Sequence, residues 1–242
     1  MTPITEIQGD LFDAPEGVSL IHACNCQGSW GRGVAQGFRE KYPAAYRIFR
    51  AHCQQYLANP QVQTRPIPGT GPNADRQQPR TVKLPEGTAL VIPPQPADYQ
   101  PRPQPQSHLQ SHFQLGPSSV SRGRGGKRGR RRGRPNSSRG PRPPPTGKKH
   151  WIICLFTSWH YGPQNRSPPD VILANTALAV ADLKRQLAAS STTVAEMTGE
   201  GQPGQLWGCR FNAGLFGVPW ERTKRMLEKA GLRMTIVSPP GQ

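Results

Sequence analysis

Residues 93–149 are the part of this sequence that most restricts how the chain can fold. They are rich in Pro, Gly, Gln and Ser and have few aliphatic side chains. They hold 13 Lys and Arg residues against one acid, Asp98, so they supply +12 of the chain's formal net charge of +17. A stretch with so little apolar surface cannot build a hydrophobic core. We therefore expect a long disordered basic insert inside a domain made by the rest of the chain.

The remaining sequence fits a single α/β domain. Once a second loose loop at 59–80 is set aside, the foldable parts are 1–58, 81–92 and 150–242, which is enough chain for one core. Apolar runs predict strands at 4–8, 18–24, 88–92, 151–157, 206–212 and 234–237. Helices are predicted at 33–42, 43–56, 171–188 and 219–230. Strands that alternate with helices indicate a layered domain with a mostly parallel sheet.

Three loops that follow predicted strands are candidates for ligand binding: 9–12, 25–33 and 212–217. In open α/β sheets, ligands bind at the carboxyl ends of the strands. The second and third loops are rich in glycine, and N–H groups in such turns can surround a phosphate. Two such loops at one sheet edge favour a diphosphate ligand held from both sides. The alternative is that both are ordinary strand-to-helix turns.

Three motifs in this order resemble a known family. GDLF, LIHACNCQGSWGRGVA and FNAGLFGVPWE are similar to segments of the macrodomain family, and within it to the fungal ADP-ribose 1''-phosphate phosphatase group. The resemblance covers the foldable parts but not 59–80 or 93–149. It implies a three-layer sandwich around a central mixed, mostly parallel sheet. It also implies hydrolysis of ADP-ribose 1''-phosphate, a metabolite that arises downstream of tRNA splicing in related fungi.

The resemblance also implies a substrate pocket. Its residues would be Gly9, Asp10, Leu11, Ala23, Cys24, Asn25, Trp30, Gly31, Arg32, Gly33, Val34, Ala35, Phe211, Asn212, Ala213, Gly214, Leu215, Phe216 and Gly217.

Each part of this pocket has an implied role. Asp10 would accept a hydrogen bond from the adenine amino group, and residues 23–25 would line the distal ribose and its phosphate. Backbone amides of 30–35 would hold the diphosphate, and 211–217 would close over it with Phe216 against the ligand. Asp10 could instead cap a turn, and Phe216 could instead be a core residue.

Arg32 departs from the family pattern, because the family often has a third glycine at this position. The change either restricts the backbone of the loop or adds a guanidinium for phosphate binding.

Removing a terminal phosphate requires an in-line nucleophile and neutralisation of charge on the phosphoryl oxygens. We expect a positioned water as the nucleophile, with backbone amides, Asn25 and Arg32 facing the phosphate. Asn25 and His22 are the catalytic candidates, since an imidazole titrates near neutral pH. His22 lies within an apolar strand, however, so a buried core histidine is the alternative. By strand alternation, His22 should share a face with Cys24.

A rival mechanism uses Cys26 as the nucleophile. Cys26 and Arg32 have the Cys-x5-Arg spacing of cysteine phosphatases, in which a thiolate attacks phosphorus. The pattern is incomplete, because Asn25 stands where His is usual and Gly33 where Ser or Thr is usual. The other cysteines are interpreted as small core residues. We find no zinc-type spacing and no acidic cluster suited to magnesium, so no metal or cofactor is expected.

Two further functions stay open. The chain could bind ADP-ribose, or hydrolyse protein-linked ADP-ribose, without acting as a phosphatase. The Arg-Gly run at 122–134 could hold RNA weakly through its charge, or direct nuclear import. The sequence has no apolar run near the ~20 residues of a membrane span and no signal segment. Five cysteines without a disulfide framework favour a cytoplasmic or nuclear location, and we expect a monomer.

Overall fold

The computed structural model describes residues 4–66, 79–100, 147–193 and 202–241. Its strands are β1 (Ile4–Gln8), β2 (Ser19–Asn25), β3 (Val62–Arg65), β4 (Arg80–Lys83), β5 (Ala89–Ile92), β6 (Trp151–Ser158), β7 (Leu206–Gly208) and β8 (Met234–Ser238). Its α-helices are α1 (Val34–Lys41), α2 (Pro43–Ala58), α3 (Pro96–Tyr99), α4 (Pro169–Thr193) and α5 (Trp220–Lys229). In these described parts, no helix combines the length and the apolar character that crossing a membrane requires.

The central sheet has six strands in the order β1-β8-β7-β2-β6-β5. All neighbouring pairs are parallel except β5 and β6, which are antiparallel. This confirms the predicted mixed, mostly parallel sheet. Strand β7 ends at Gly208, earlier than predicted, because the chain turns at once: Phe211 N–H donates to the carbonyl of Cys209, and Asn212 has φ +67°.

Helices cover both faces of this sheet. Odd-numbered residues of β2 and β6, such as Ile21 and Ile153, pack with α4 and α5. Even-numbered residues, such as Leu20 and Phe156, pack with α1 and α2. A strand buried on both faces is apolar over most of its length, which explains the mainly apolar runs at 18–24 and 151–157. The three-layer α/β/α arrangement is therefore confirmed.

Part of the predicted loose loop at 59–80 forms a β-strand. Strand β3 lies inside this range and pairs antiparallel with β4 in a small second sheet. The hydroxyl groups of Thr64 and Thr81 lie 3.1 Å apart across the pair. The prediction for 62–65 was therefore wrong, because the pairing of two polar strands leaves no apolar pattern to recognise. Residues 67–78 lie outside the described residues.

Both ends of the insert predicted at 93–149 contact the folded domain. Asp98 is 1% exposed, and its carboxylate oxygens accept from the N–H groups of Ala44, at 2.6 Å, and Ala45, at 3.0 Å. It thus caps the first turn of α2, which begins at Pro43. On the other side, Lys148 Nζ donates to the carbonyl of Asp13 at 3.0 Å. Residues 93–100 and 147–149 therefore belong to the folded domain, while 101–146 lie outside the described residues.

The ends of this folded region meet, which allows a deletion test. Gly147 N–H donates to the carbonyl of Asp98 at 3.1 Å, so a short Gly-Ser bridge can join Gln100 to Gly147. We expect the chain without 101–146 to keep its thermal unfolding midpoint and its circular dichroism spectrum. The full-length Asp98→Ala variant should instead lose about 1–2 kcal/mol of unfolding free energy, because it loses the cap. A deletion variant without helical signal would contradict this division of the chain.

Candidate active site

Four loops meet at one edge of the sheet. Strands β1, β7, β2 and β6 run parallel, so their carboxyl ends all point to the same side. The three predicted loops, 9–12, 25–33 and 212–217, are therefore brought to that edge. A fourth loop, 159–168, follows β6 and was missed. The strand-end rule, applied to the predicted strand at 151–157, would have found it.

Asn25 organises the loop after β2. It is 6% exposed, and its Oδ1 accepts from the N–H groups of Gln27, at 3.0 Å, and Ser29, at 3.2 Å. Its Nδ2 donates to the carbonyl of Ser29 at 2.6 Å. A bulge between Cys24 and Asn25 interrupts the pairing with β6. Asn25 thus leaves the strand alternation at this point and turns its side chain into the loop.

The same loop ends at the start of α1. Gly33 is the N-cap residue, with φ +59°, and no side chain caps the helix. Gly31, Arg32 and Gly33 are exposed, and Val34 and Ala35 are half-buried. The first N–H groups of the helix can therefore bind an anion, with the helix dipole favouring negative charge.

Arg32 does not strain this loop. Among the non-glycine residues that the structure describes, Asn212 alone has a positive φ. The positive φ is taken by Gly33 instead, so the backbone at position 32 does not require a glycine. Its guanidinium is free to face solvent at the edge of the sheet.

The loop after β1 carries the predicted adenine contact. Asp10 is exposed, and its Oδ1 accepts from the N–H of Phe12 at 2.9 Å, which caps a short 3-10 helix at Leu11–Asp13. The turn-capping role is thus present, and it uses one of the two carboxylate oxygens. Gly9 is half-buried and Leu11 is buried. Phe12 contacts α1 through the ring of Phe38, with centroids 5.1 Å apart.

Asn212 fixes the loop after β7. It is 3% exposed, and its Oδ1 accepts from Thr157 Oγ1 at 3.1 Å, while its Nδ2 donates to Thr176 Oγ1 at 2.9 Å. These two hydrogen bonds therefore fix the loop to β6 and α4. Val218 N–H closes the turn by donating to the carbonyl of Asn212 at 2.9 Å.

The other members of 211–217 divide between core and surface. Phe211 and Phe216 are buried, and Phe216 packs with Ile172 and Val218. Ala23 packs against this same group and is half-buried. Ala213 and Gly217 are half-buried, and Gly214 and Leu215 are exposed. The backbone of this loop and the exposed side chain of Leu215 are thus available to a ligand at the surface, while Phe216 is buried beneath the loop.

The structure places His22 in the core and not at the exposed surface of the loops. Its side chain is 0% exposed, and its ring stacks on Phe38 with centroids 4.1 Å apart. Trp30 is also buried and lies edge-on to His22 at 5.1 Å. His22 and Cys24 share one face of β2, as the alternation predicts. This environment fits the core histidine, and proton transfer by His22 stays a prediction from sequence.

Cys26 lies in the interior as well. It is 0% exposed, and burial raises the pKa of its thiol well above the usual value, with Glu86 adding to the effect. A nucleophilic cysteine needs the opposite, an accessible thiolate with a lowered pKa. The Cys-x5-Arg mechanism therefore does not fit the geometry of this loop.

Three metal-capable side chains converge in the core. His22, Cys24 and Cys154 are buried, and their ligand atoms lie within 4.8 Å of one another, as the one such group among the described residues. Burial is the main reason that the pKa of the Cys24 thiol is raised well above its usual value. The group lies on the side of β2 and β6 that faces α1 and α2, surrounded by aromatic rings.

Glu86 is a buried carboxyl group that is hydrogen-bonded to α4. It is 9% exposed, and Asn175 Nδ2 donates to its Oε1 at 3.1 Å. Burial raises the pKa of this carboxyl above its usual range, against the opposing effect of Arg80. Within the loop, Ser167 N–H donates to Ser158 Oγ at 3.0 Å.

The chain is similar to curated proteins named ADP-ribose 1''-phosphate phosphatase. One from Ajellomyces capsulatus (strain NAm1 / WU24) is 61% identical over 261 residues, covering 100% of this chain and 98% of the relative. One from Aspergillus fumigatus is 48% identical over 238 residues, covering 98% and 95%. One from Debaryomyces hansenii is 31% identical over 232 residues, covering 93% of each.

No protein-family model matches the chain. Among solved structures, the macrodomain of Mycobacterium tuberculosis DarG is 16% identical, with a TM-score of 0.48 over 98% of each chain. The sequence relatives, which match along the whole chain, confirm the resemblance drawn from the three motifs. The chain belongs to the family of ADP-ribose 1''-phosphate phosphatases.

Proposed function

We propose that this protein hydrolyses ADP-ribose 1''-phosphate to ADP-ribose and inorganic phosphate. The observation that carries the proposal is the loop at 25–33, which Asn25 folds so that it leads into the uncapped start of α1. Relatives that match the whole chain carry the name of this activity.

The arrangement suits charge neutralisation. A water oxygen forms the new bond to phosphorus, the bond from phosphorus to the sugar oxygen breaks, and a proton passes to the departing sugar oxygen. The N–H groups at the start of α1 bind the diphosphate and so fix the ligand, with its terminal phosphate placed where Asn25 and Arg32 can neutralise its charge. On the other side of the ligand, the turn at 212–217 supplies backbone groups. Their position is fixed, because Asn212 is hydrogen-bonded to Thr157 and Thr176.

The test is phosphate release from ADP-ribose 1''-phosphate by the wild type and by Cys26→Ser, each with and without EDTA. We expect release to survive EDTA, and to survive Cys26→Ser because the buried thiol is protonated. Cys26→Ala is the matched control, since it fills the same buried site without a hydroxyl. Loss of release in both variants, with folding intact, would assign the chemistry to the thiolate.

Two outcomes would overturn the proposal. If the wild type binds ADP-ribose tightly and releases no phosphate, the protein is a binding module. If it releases ADP-ribose from modified protein but not phosphate from the sugar phosphate, it is a hydrolase of protein-linked ADP-ribose.

RNA contact through 122–134, the monomeric state and a cytoplasmic or nuclear location stay predictions. The run 122–134 lies outside the described residues. Its contribution would appear as RNA binding that weakens steeply with salt and disappears when 101–146 is deleted.

A further inference from the structure

Arg166 crosses from one active-site loop to another. It lies between β6 and α4, and its Nη1 donates to the carbonyl of Leu215 at 2.8 Å. Its guanidinium rests on the backbone of Gly217, where an added Cβ would lie 2.6 Å from both Cζ and Nη2. Gly217 has φ +65°, so the turn both requires glycine and leaves room for the guanidinium.

The charge of Arg166 is not neutralised by an acid within the described part of the chain. The carboxylates in ion pairs there are bound by other cations. Asp170, the acid that follows Arg166 most closely in sequence, is paired with Arg222 at 2.5 Å. A guanidinium has five N–H donors, and a single carbonyl uses only one of them. The remaining donors are suited to an oxyanion, which a guanidinium can bind through two parallel hydrogen bonds.

We infer that Arg166 binds the terminal phosphate of the substrate and thereby distinguishes ADP-ribose 1''-phosphate from ADP-ribose. The inference rests on the proposed function. The sheet order places the loop after β1 at one end of the edge and the loop after β6 near the other. With adenine at Asp10 and the diphosphate between 30–35 and 211–217, the far end of the ligand reaches the loop that carries Arg166.

The test compares two ligands in Arg166→Gln. We expect KM for ADP-ribose 1''-phosphate to rise about tenfold or more, which is the scale of one charge-assisted contact. The Kd for ADP-ribose should change by less than about twofold, because ADP-ribose lacks the terminal phosphate. Arg166→Lys keeps the charge without the planar pair of donors, so its KM for ADP-ribose 1''-phosphate should lie between those of the wild type and Arg166→Gln.

Two control variants keep the inference falsifiable. Arg39→Gln removes the same charge from the exposed surface of α1 and should leave both constants unchanged. Arg32→Gln tests the exposed guanidinium in the loop after β2. The inference is overturned if Arg166→Gln weakens both ligands equally, which would mean that Arg166 only anchors Leu215. It is also overturned if Arg32→Gln alone shows the selective loss. A wild type that releases no phosphate is a different result, since it refutes the proposed function itself.

Discussion

Replacing Asn25 with alanine is expected to lower kcat/KM for phosphate release by about a hundredfold or more, the scale seen when positioned donors are lost. The alanine leaves the N–H groups of Gln27 and Ser29 without their buried acceptor, and the carbonyl of Ser29 without its donor. The loop can then no longer hold the start of α1 and the backbone of 30–33 in one arrangement. Steady-state phosphate release measures the loss, and urea unfolding should show about 1–3 kcal/mol of destabilisation.

Two variants separate this role from a general loss of stability. Asn25→Asp keeps the acceptor for both N–H groups but sets a carboxylate oxygen against the carbonyl of Ser29, so its loss of unfolding free energy reports the contribution of the Nδ2 donor. Asn59→Ala removes an exposed asparagine at the end of α2 and should not change phosphate release. Full activity in Asn25→Ala would mean that the loop does not depend on this side chain.

Much of the architecture follows from periodicity. The apolar runs at 18–24 and 151–157 predict strands that are buried on both faces, and β2 and β6 are neighbouring interior strands of the sheet. Alternation also places His22 and Cys24 on one face. Once the strands are parallel, their carboxyl ends meet, so the positions of the glycine-rich loops follow as well.

The details that depend on single contacts could not be predicted. The bulge at Cys24 and Asn25 breaks the alternation just where the pocket begins, and no residue pattern marks it. The helix-capping role of Asp98 was not predicted, because the Pro-rich, basic composition of its segment indicates disorder. A single acid among many cations could have drawn attention to a specific partner. Arg166 was missed because its contact with Leu215 joins two loops that are distant in sequence.

Replacing Asn212 with alanine is expected to cost about 3 kcal/mol of unfolding free energy, from two lost buried hydrogen bonds and a strained backbone. Thr157 and Thr176 are both fully buried, so the hydroxyl of Thr157 loses its acceptor and finds no water in exchange. Alanine also adopts φ +67° less readily than asparagine, whose side chain tolerates this region. Chemical denaturation, with phosphate release measured on the folded fraction, quantifies both effects.

Asn212→Gly divides this cost into its two parts. Glycine removes the same hydrogen bonds but adopts a positive φ without strain, so it should be about 1 kcal/mol more stable than Asn212→Ala. Equal losses in the two variants would mean that the backbone conformation contributes nothing, and no loss in either would mean that the threonines do not hold the loop. Because both variants release the turn at 212–217 from β6 and α4, both should also weaken ADP-ribose binding. Both variants lack the hydrogen bonds to Thr157 and Thr176. A difference between their Kd values for ADP-ribose would therefore measure the contribution of the backbone conformation at position 212.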